Sequence, residues 1–133
     1  PIPVGPAHPN GAIALDHVVV HTPDLPRTLT ALEAAGLEVR RVREASPDLH
    51  QAFLWAGDVL VEVAGSPQPT EAGPASLWGL VVVAPDLAPF AALPGGRFGE
   101  IRPAVQPGRQ ILPATREAGT STRLAVMTPH GRS

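Results

Sequence analysis

The chain has 133 residues, enough for one ordinary domain and too few for two conventional ones. Its hydrophobic share is 44 %, its charged share 17 %, and its formal net charge −2, with 13 Gly and 17 Pro. That composition excludes a disordered tail, a collagen-like chain and a coiled coil. The near-neutral balance gives no footing for nucleic acid, and no apolar run approaches the roughly 18 residues of a membrane helix.

There is no Cys, which excludes disulfides and thiolate metal sites. All ten basic residues are Arg. Charge is uneven: residues 1–96 carry four Arg and ten acids, and residues 97–133 carry six Arg and two acids. The basic third reads first as a solvated face and second as an attraction for a small anion. The opening PIPVGPAHPNG lacks the basic-then-apolar pattern of a signal peptide, so the cytoplasm is the expected compartment.

Residues 1–11 read as an extended arm, because four prolines remove backbone donors and fix φ. Ile13 to Thr22 is a β-branched apolar run of strand length. Asp24 then offers an N-cap, Leu25, Leu29 and Leu32 repeat at helical spacing, and Gly36 stops the helix. Leu37 to Arg43, Leu49 to Trp55 and Val59 to Ala64 read as strands, the last two joined by the turn Ala56-Gly57-Asp58. Residues 65–75 have linker composition. After them the pattern restarts. Leu15 to Leu25 aligns with Leu77 to Leu87 at a constant offset, including Pro23-Asp24-Leu25 against Pro85-Asp86-Leu87, which points to an internal duplication. The second copy is degraded: a short helix over Leu87–Leu93, then strands near Glu100–Val105, Arg109–Arg116 and Arg123–Thr128, and a polar tail from 130.

Strand alternation sorts the side chains by face. Leu15, His17, Val19 and His21 share one face of the first strand. In the fourth, Val59, Val61 and Val63 form the side that packs on the Leu25/Leu29/Leu32 stripe. Glu62 and His17 are thereby turned to the opposite face, and a carboxylate in so apolar a strand needs a partner.

Two tandem strand–helix–three-strand units, opening on Leu15-Asp16-His17-Val18-Val19-Val20 and closing the first unit on Val61-Glu62-Val63, resemble the vicinal oxygen chelate superfamily. That superfamily includes glyoxalases, ring-cleaving dioxygenases, epimerases and bleomycin-type resistance proteins. The resemblance spans residues 12–129 and implies an α+β, glyoxalase-like fold: two tandem βαβββ units, 12–64 and 76–129, forming curved sheets around a cleft. In metal-dependent members each unit gives a ligand from its first and fourth strands, a role the resemblance carries onto His17 and Glu62. The corresponding positions of the second unit are Gly79 and Ala125, which carry no donor. Two ligands fall short of the three or more that a catalytic cation takes from protein. The expected cofactor content is therefore none, or at most a weakly held divalent metal such as Zn, Ni, Mn or Fe.

Gln106-Pro107-Gly108-Arg109 is a turn that opens a strand with a guanidinium suited to a carboxylate or phosphate. The plainer reading is an exposed turn Arg. Trp55 and Trp78 are large enough to line a pocket, although core packing is the commoner use of such a residue. Arg109, Gln106, His21 and Trp55 are the expected ligand-contacting set. Dinucleotide, phosphate-loop, zinc-protease and nucleophile-elbow signatures are absent.

Three functions follow as expectations. The first is a domain that binds a small organic molecule in the cleft without a complete metal site. The second is an isomerase or lyase, within a superfamily that also holds dioxygenases, using Glu62 as general base beside His17. The third is a structural or interaction module with a closed cleft. The expected partner is a small-molecule ligand, with neither nucleic acid nor membrane, and a homodimer is the default for a small protein.

Overall fold

The computed structural model describes residues 8–131. Most of the expected N-terminal arm, residues 1–7, and the end of the tail, residues 132 and 133, lie outside them. The chain forms two compact units, one of residues 17–79 and one that joins the residues through Asp16 to those from Leu80 onward. The division falls inside two strands, β1 (Ala14–Thr22) and β5 (Ser76–Val83).

In the first unit β1 is followed by helix α1 (Leu25–Ala34) and strands β2 (Glu38–Ser46), β3 (Leu49–Ala56) and β4 (Val59–Gly65). Their order is β2-β3-β4-β1. β2–β3 and β3–β4 are antiparallel hairpins, and β1 runs parallel to β4 in the register His17↔Leu60, Val19↔Glu62, Thr22↔Gly65. The helix begins where the sequence places it. Asp24 Oδ1 accepts the Arg27 backbone N–H at 3.0 Å, a cap contributing about 1 kcal/mol. It ends at Gly36, whose φ of 98° suits a residue without Cβ. Leu25, Ala52, Leu54, Val61 and Val63 form the buried core, with Val18, Val20, Leu29 and Leu32 packed on it. The expected face of β4 therefore does meet the leucine stripe of α1.

Beneath the β1–α1 corner the Thr22 and Thr28 hydroxyls lie 2.7 Å apart, buried, and Thr22 Oγ1 also donates to the Asp24 carbonyl at 3.1 Å. Gly65 fits against this corner because it has no side chain. A Cβ there would stand 2.5 Å from the Thr22 carbonyl oxygen and 2.7 Å from its Cγ2.

In the second unit β5 is followed by the one-turn helix α2 (Ala88–Ala91) and strands β6 (Arg102–Pro103), β7 (Gln110–Pro113) and β8 (Arg123–Met127), in the order β5-β8-β7-β6. This repeats the first unit's arrangement in shorter elements. Leu25 and Leu87 are both core residues, and Asp86 Oδ1 accepts the Ala88 N–H at 3.0 Å, two residues on, where Asp24 accepts the N–H three residues on. Leu87, Phe90, Leu112 and Val126 form this unit's core, with Phe90 and Phe98 edge-to-face at 5.8 Å. The expected strands over 100–105 and 109–116 shrink to two and four residues. Pro103 and Pro113 each remove a ladder donor, and a 3-10 turn occupies Arg116–Ala118.

Arg109 is the main departure. It is neither an exposed turn residue nor a free clamp, for it is buried at 2 % exposure. Nη2 donates to Asp16 Oδ1 at 2.8 Å, Nε to the Thr128 carbonyl at 2.8 Å and Nη1 to Gln106 Oε1 at 2.6 Å. His130, the first residue of the polar tail, brings Nε2 to 3.3 Å from Nη1. The pair ties the start of β1 to the turn before β7.

Two stability effects follow. Gly65→Ala is expected to lower unfolding free energy by about 1–3 kcal/mol, as overpacking does, measured by urea denaturation against a Ser76→Ala control. Arg109→Leu is expected to cost about 3–5 kcal/mol because the Asp16 carboxylate, 11 % exposed, loses the guanidinium 2.8 Å from it, and Arg109→Leu combined with Asp16→Leu should recover most of that loss.

Candidate functional site

A cavity of about 770 Å³ opens in the first unit, within the size range of small-molecule sites. Its floor is the sheet face opposite α1: Val19 and His21 from β1, Leu49 and Gln51 from β3, Glu62 and Ala64 from β4. Alternation puts these residues there, since their neighbours Val20, Ala52, Val61 and Val63 belong to the helix-side core. The wall is the segment after β4, with Ser66, Thr70, Glu71, Gly73 and Pro74, and then Ser76 and Trp78 of β5.

Glu62 is partly buried and has the partner its strand demands. Gln51 Nε2 donates to Glu62 Oε1 at 2.9 Å. The orientation of that amide is fixed from the other side, where Arg43 Nη1 reaches Gln51 Oε1 at 3.4 Å. A guanidinium only donates, so the amide oxygen faces Arg43 and the amide nitrogen faces the carboxylate. One oxygen of Glu62 is used in this way, and a carboxylate has room for further donors.

His21 stacks on Trp78, centroids 4.8 Å apart and planes inclined by 21°. Trp78 remains 42 % exposed, so the stack offers an aromatic surface rather than a filled core position.

The wall segment, read from composition as a linker, is fastened to the start of α1. Leu25 N–H donates to the Ser66 carbonyl at 3.2 Å, Thr70 N–H to the Pro23 carbonyl at 3.1 Å, and Arg27 Nη2 to the Gly73 carbonyl.

The structure thus brings Glu62 and His21 to one cavity. His17 lies two residues before Val19 on the same strand face, opposite Leu60, and does not line the cavity. Trp55 shares the β3 face of Gln51 but sits at the far end of the strand, 48 % exposed and outside the lining. Arg109 and Gln106 belong to the second unit, bonded to each other as described. Gln51 and Glu71 are polar lining residues that sequence reasoning left unassigned, and Trp78, weighed there between pocket and core, lines the cavity. Gln51 was findable, because a hairpin closed at Gly57-Asp58 pairs Phe53 with Glu62 and sets Gln51 one pleat away.

A divalent metal does not fit this donor set. Among the described residues no group of three or more His, Asp or Glu side chains is placed to hold one. Of the two residues that the family resemblance offers as ligands, Glu62 already accepts from Gln51 and His17 stands outside the cavity.

No protein-family model and no curated protein matches this sequence. Solved structures do. A hypothetical protein from Bacillus halodurans C-125 superposes with a TM-score of 0.64 at 15% identity, covering 90% of this chain and 96% of its own. Methylmalonyl-CoA epimerase from Mycobacterium tuberculosis gives 0.64 at 12% identity, with 93% of each chain covered. A Streptomyces coelicolor methylmalonyl-CoA epimerase variant in complex with 2-nitronate-propionyl-CoA gives 0.61 at 17% identity, covering 89% of this chain and 98% of its own. The chain shares the α+β, glyoxalase-like fold of these structures along nearly its whole length.

Proposed function

We propose that the protein binds a small organic molecule in the cavity above β1, β3 and β4, without a complete metal site. The observation that carries this reading is the hydrogen-bonded Glu62–Gln51 pair on the floor of a roomy cavity that also presents the His21–Trp78 stack. A fold shared with enzymes that handle small ligands supports it by analogy. A closed structural module would fill such a space with side chains. Trp78 supplies the test. With Trp55→Phe it becomes the sole tryptophan, and small organic fragments screened by its fluorescence should include ligands that change its emission. The change should disappear when Ser76→Leu narrows the cavity; a library that never perturbs Trp78 overturns the reading.

The placement of Glu62 favours a second reading, an isomerase. A carboxylate on a cavity floor can take a proton from a carbon next to a carbonyl, leaving an enolate, and return it on the same face to a neighbouring carbon. Gln51 acts as a positioning residue, holding one oxygen so that the other meets the ligand. Ligands from the screen that carry such a carbon should exchange that hydrogen for deuterium in D2O. Glu62→Gln should slow the exchange by about 10²–10⁴-fold while binding persists. Exchange at the parent rate would end the isomerase reading and leave the binding reading intact.

A further inference from the structure

The chemistry of the cavity wall narrows what can occupy it. Its charged lining residues are two carboxylates, Glu62 on the floor and Glu71 on the wall segment, and no Arg lines it. The chain has no Lys at all. The two guanidiniums nearby are held by neutral acceptors at its margin: Arg27 by the Gly73 carbonyl and Arg43 by Gln51 Oε1. Arg43 is exposed on β2, and the amide of Gln51 stands between it and Glu62. The other polar lining groups are neutral hydroxyls and the His21 imidazole.

The apolar part of the lining is flat on one side. The His21–Trp78 stack presents an aromatic face, and Leu49, 41 % exposed, offers aliphatic surface from the β3 end of the cavity. An indole face attracts other rings and cations alike. A carboxylate with one oxygen still open accepts N–H donors and repels anions. An anionic ligand would have to bring its charge close to Glu62 and Glu71 with no guanidinium or ammonium in the lining to answer it.

Resting on the binding reading above, we infer that this cavity takes a flat aromatic or heteroaromatic amine, its ring against Trp78 and its N–H groups toward Glu62. It does not take a carboxylate, a phosphate or an acyl-coenzyme A. The inference separates this chain's ligand class from the coenzyme A compound bound by the Streptomyces coelicolor epimerase that shares its fold. Glu71 acts as a specificity determinant that adds charge without being needed to hold the pocket's shape, since it lies exposed on the wall segment.

Isothermal titration calorimetry with four probes tests this: 2-naphthylmethylamine as the cation, 2-naphthamide as the neutral donor, 2-naphthoate as the anion, and coenzyme A. The amine should bind at least tenfold more tightly than naphthoate, the amide should fall between them, and coenzyme A should give no heat of binding. Raising the salt concentration should narrow the ratio between amine and naphthoate. Glu71→Gln should reduce that ratio several-fold with little effect on the amide, and Glu62→Gln should reduce it further. If naphthoate or coenzyme A binds as tightly as the amine, the ligand class is wrong while the cavity remains a binding site. If none of the four probes binds while fragments still change the Trp78 emission, this inference fails and the binding reading stands; if no fragment changes it either, both fail.

Discussion

The close approach of β4 to β1 at Gly65 governs the first unit. The Thr22 carbonyl and methyl occupy the space where any other residue would carry its Cβ. Thr22 can therefore keep its hydroxyl on Thr28 and on the Asp24 carbonyl, and α1 leaves the sheet at one fixed angle. The same approach sets the parallel register. Thr22 opposite Gly65 requires Val19 opposite Glu62, and a slip of one residue would send Glu62 into the helix-side core and Val61 or Val63 out of it. Burying an unpartnered carboxylate costs several kcal/mol, so the apolar face of β4 and the missing side chain at 65 enforce the same register. The site's carboxylate is positioned by packing at the opposite end of the strand.

The first half was legible because its signals agree with one another. Asp24, the leucine spacing, Gly36 and the Val59/Val61/Val63 alternation all specify the same arrangement, and the observed elements start and stop within a few residues of the expected ones. Such agreement between local preference and tertiary packing is what makes a sequence readable. In the second half Pro103 and Pro113 interrupt what periodicity alone marks as strands, and the elements survive only as two- and four-residue segments. Their existence and order were readable from the repeat, but their length was not.

Arg109 shows where reading a single sequence fails. Its guanidinium is bonded to Asp16, 93 positions away. Nothing near either residue reveals the pairing, because Asp16 alternates with valines like any exposed strand residue and Arg109 follows a turn like any surface Arg. The cavity wall was missed for a related reason. A stretch rich in Pro, Gly and polar residues has the composition of a free linker, yet bonds from Leu25 and Thr70 and from Arg27 hold it against α1. These contacts depend on where β4 ends relative to the helix, a distance no local pattern encodes.

The two units share a helix-side core and differ on the other sheet face. Both keep the helix-side core, with Leu25 and Leu87 in equivalent places. The first unit has kept polar residues on the other face: Gln51, Glu62 and His21 there can be reached by a ligand. The positions aligned with its His17 and Glu62 in the second unit are Gly79 and Ala125. The second unit's charged group of consequence, Arg109, is sealed by Asp16, Gln106 and the Thr128 carbonyl. A guanidinium so fully engaged fixes the fold and is unavailable to an anion, whereas the carboxylate of the first unit has an open oxygen and a polarised neighbour. Chemistry that needs cationic recognition thus has no obvious group in the cavity to perform it, and chemistry that needs an acceptor or a base has Glu62. The selectivity of the site rests on that asymmetry in charge.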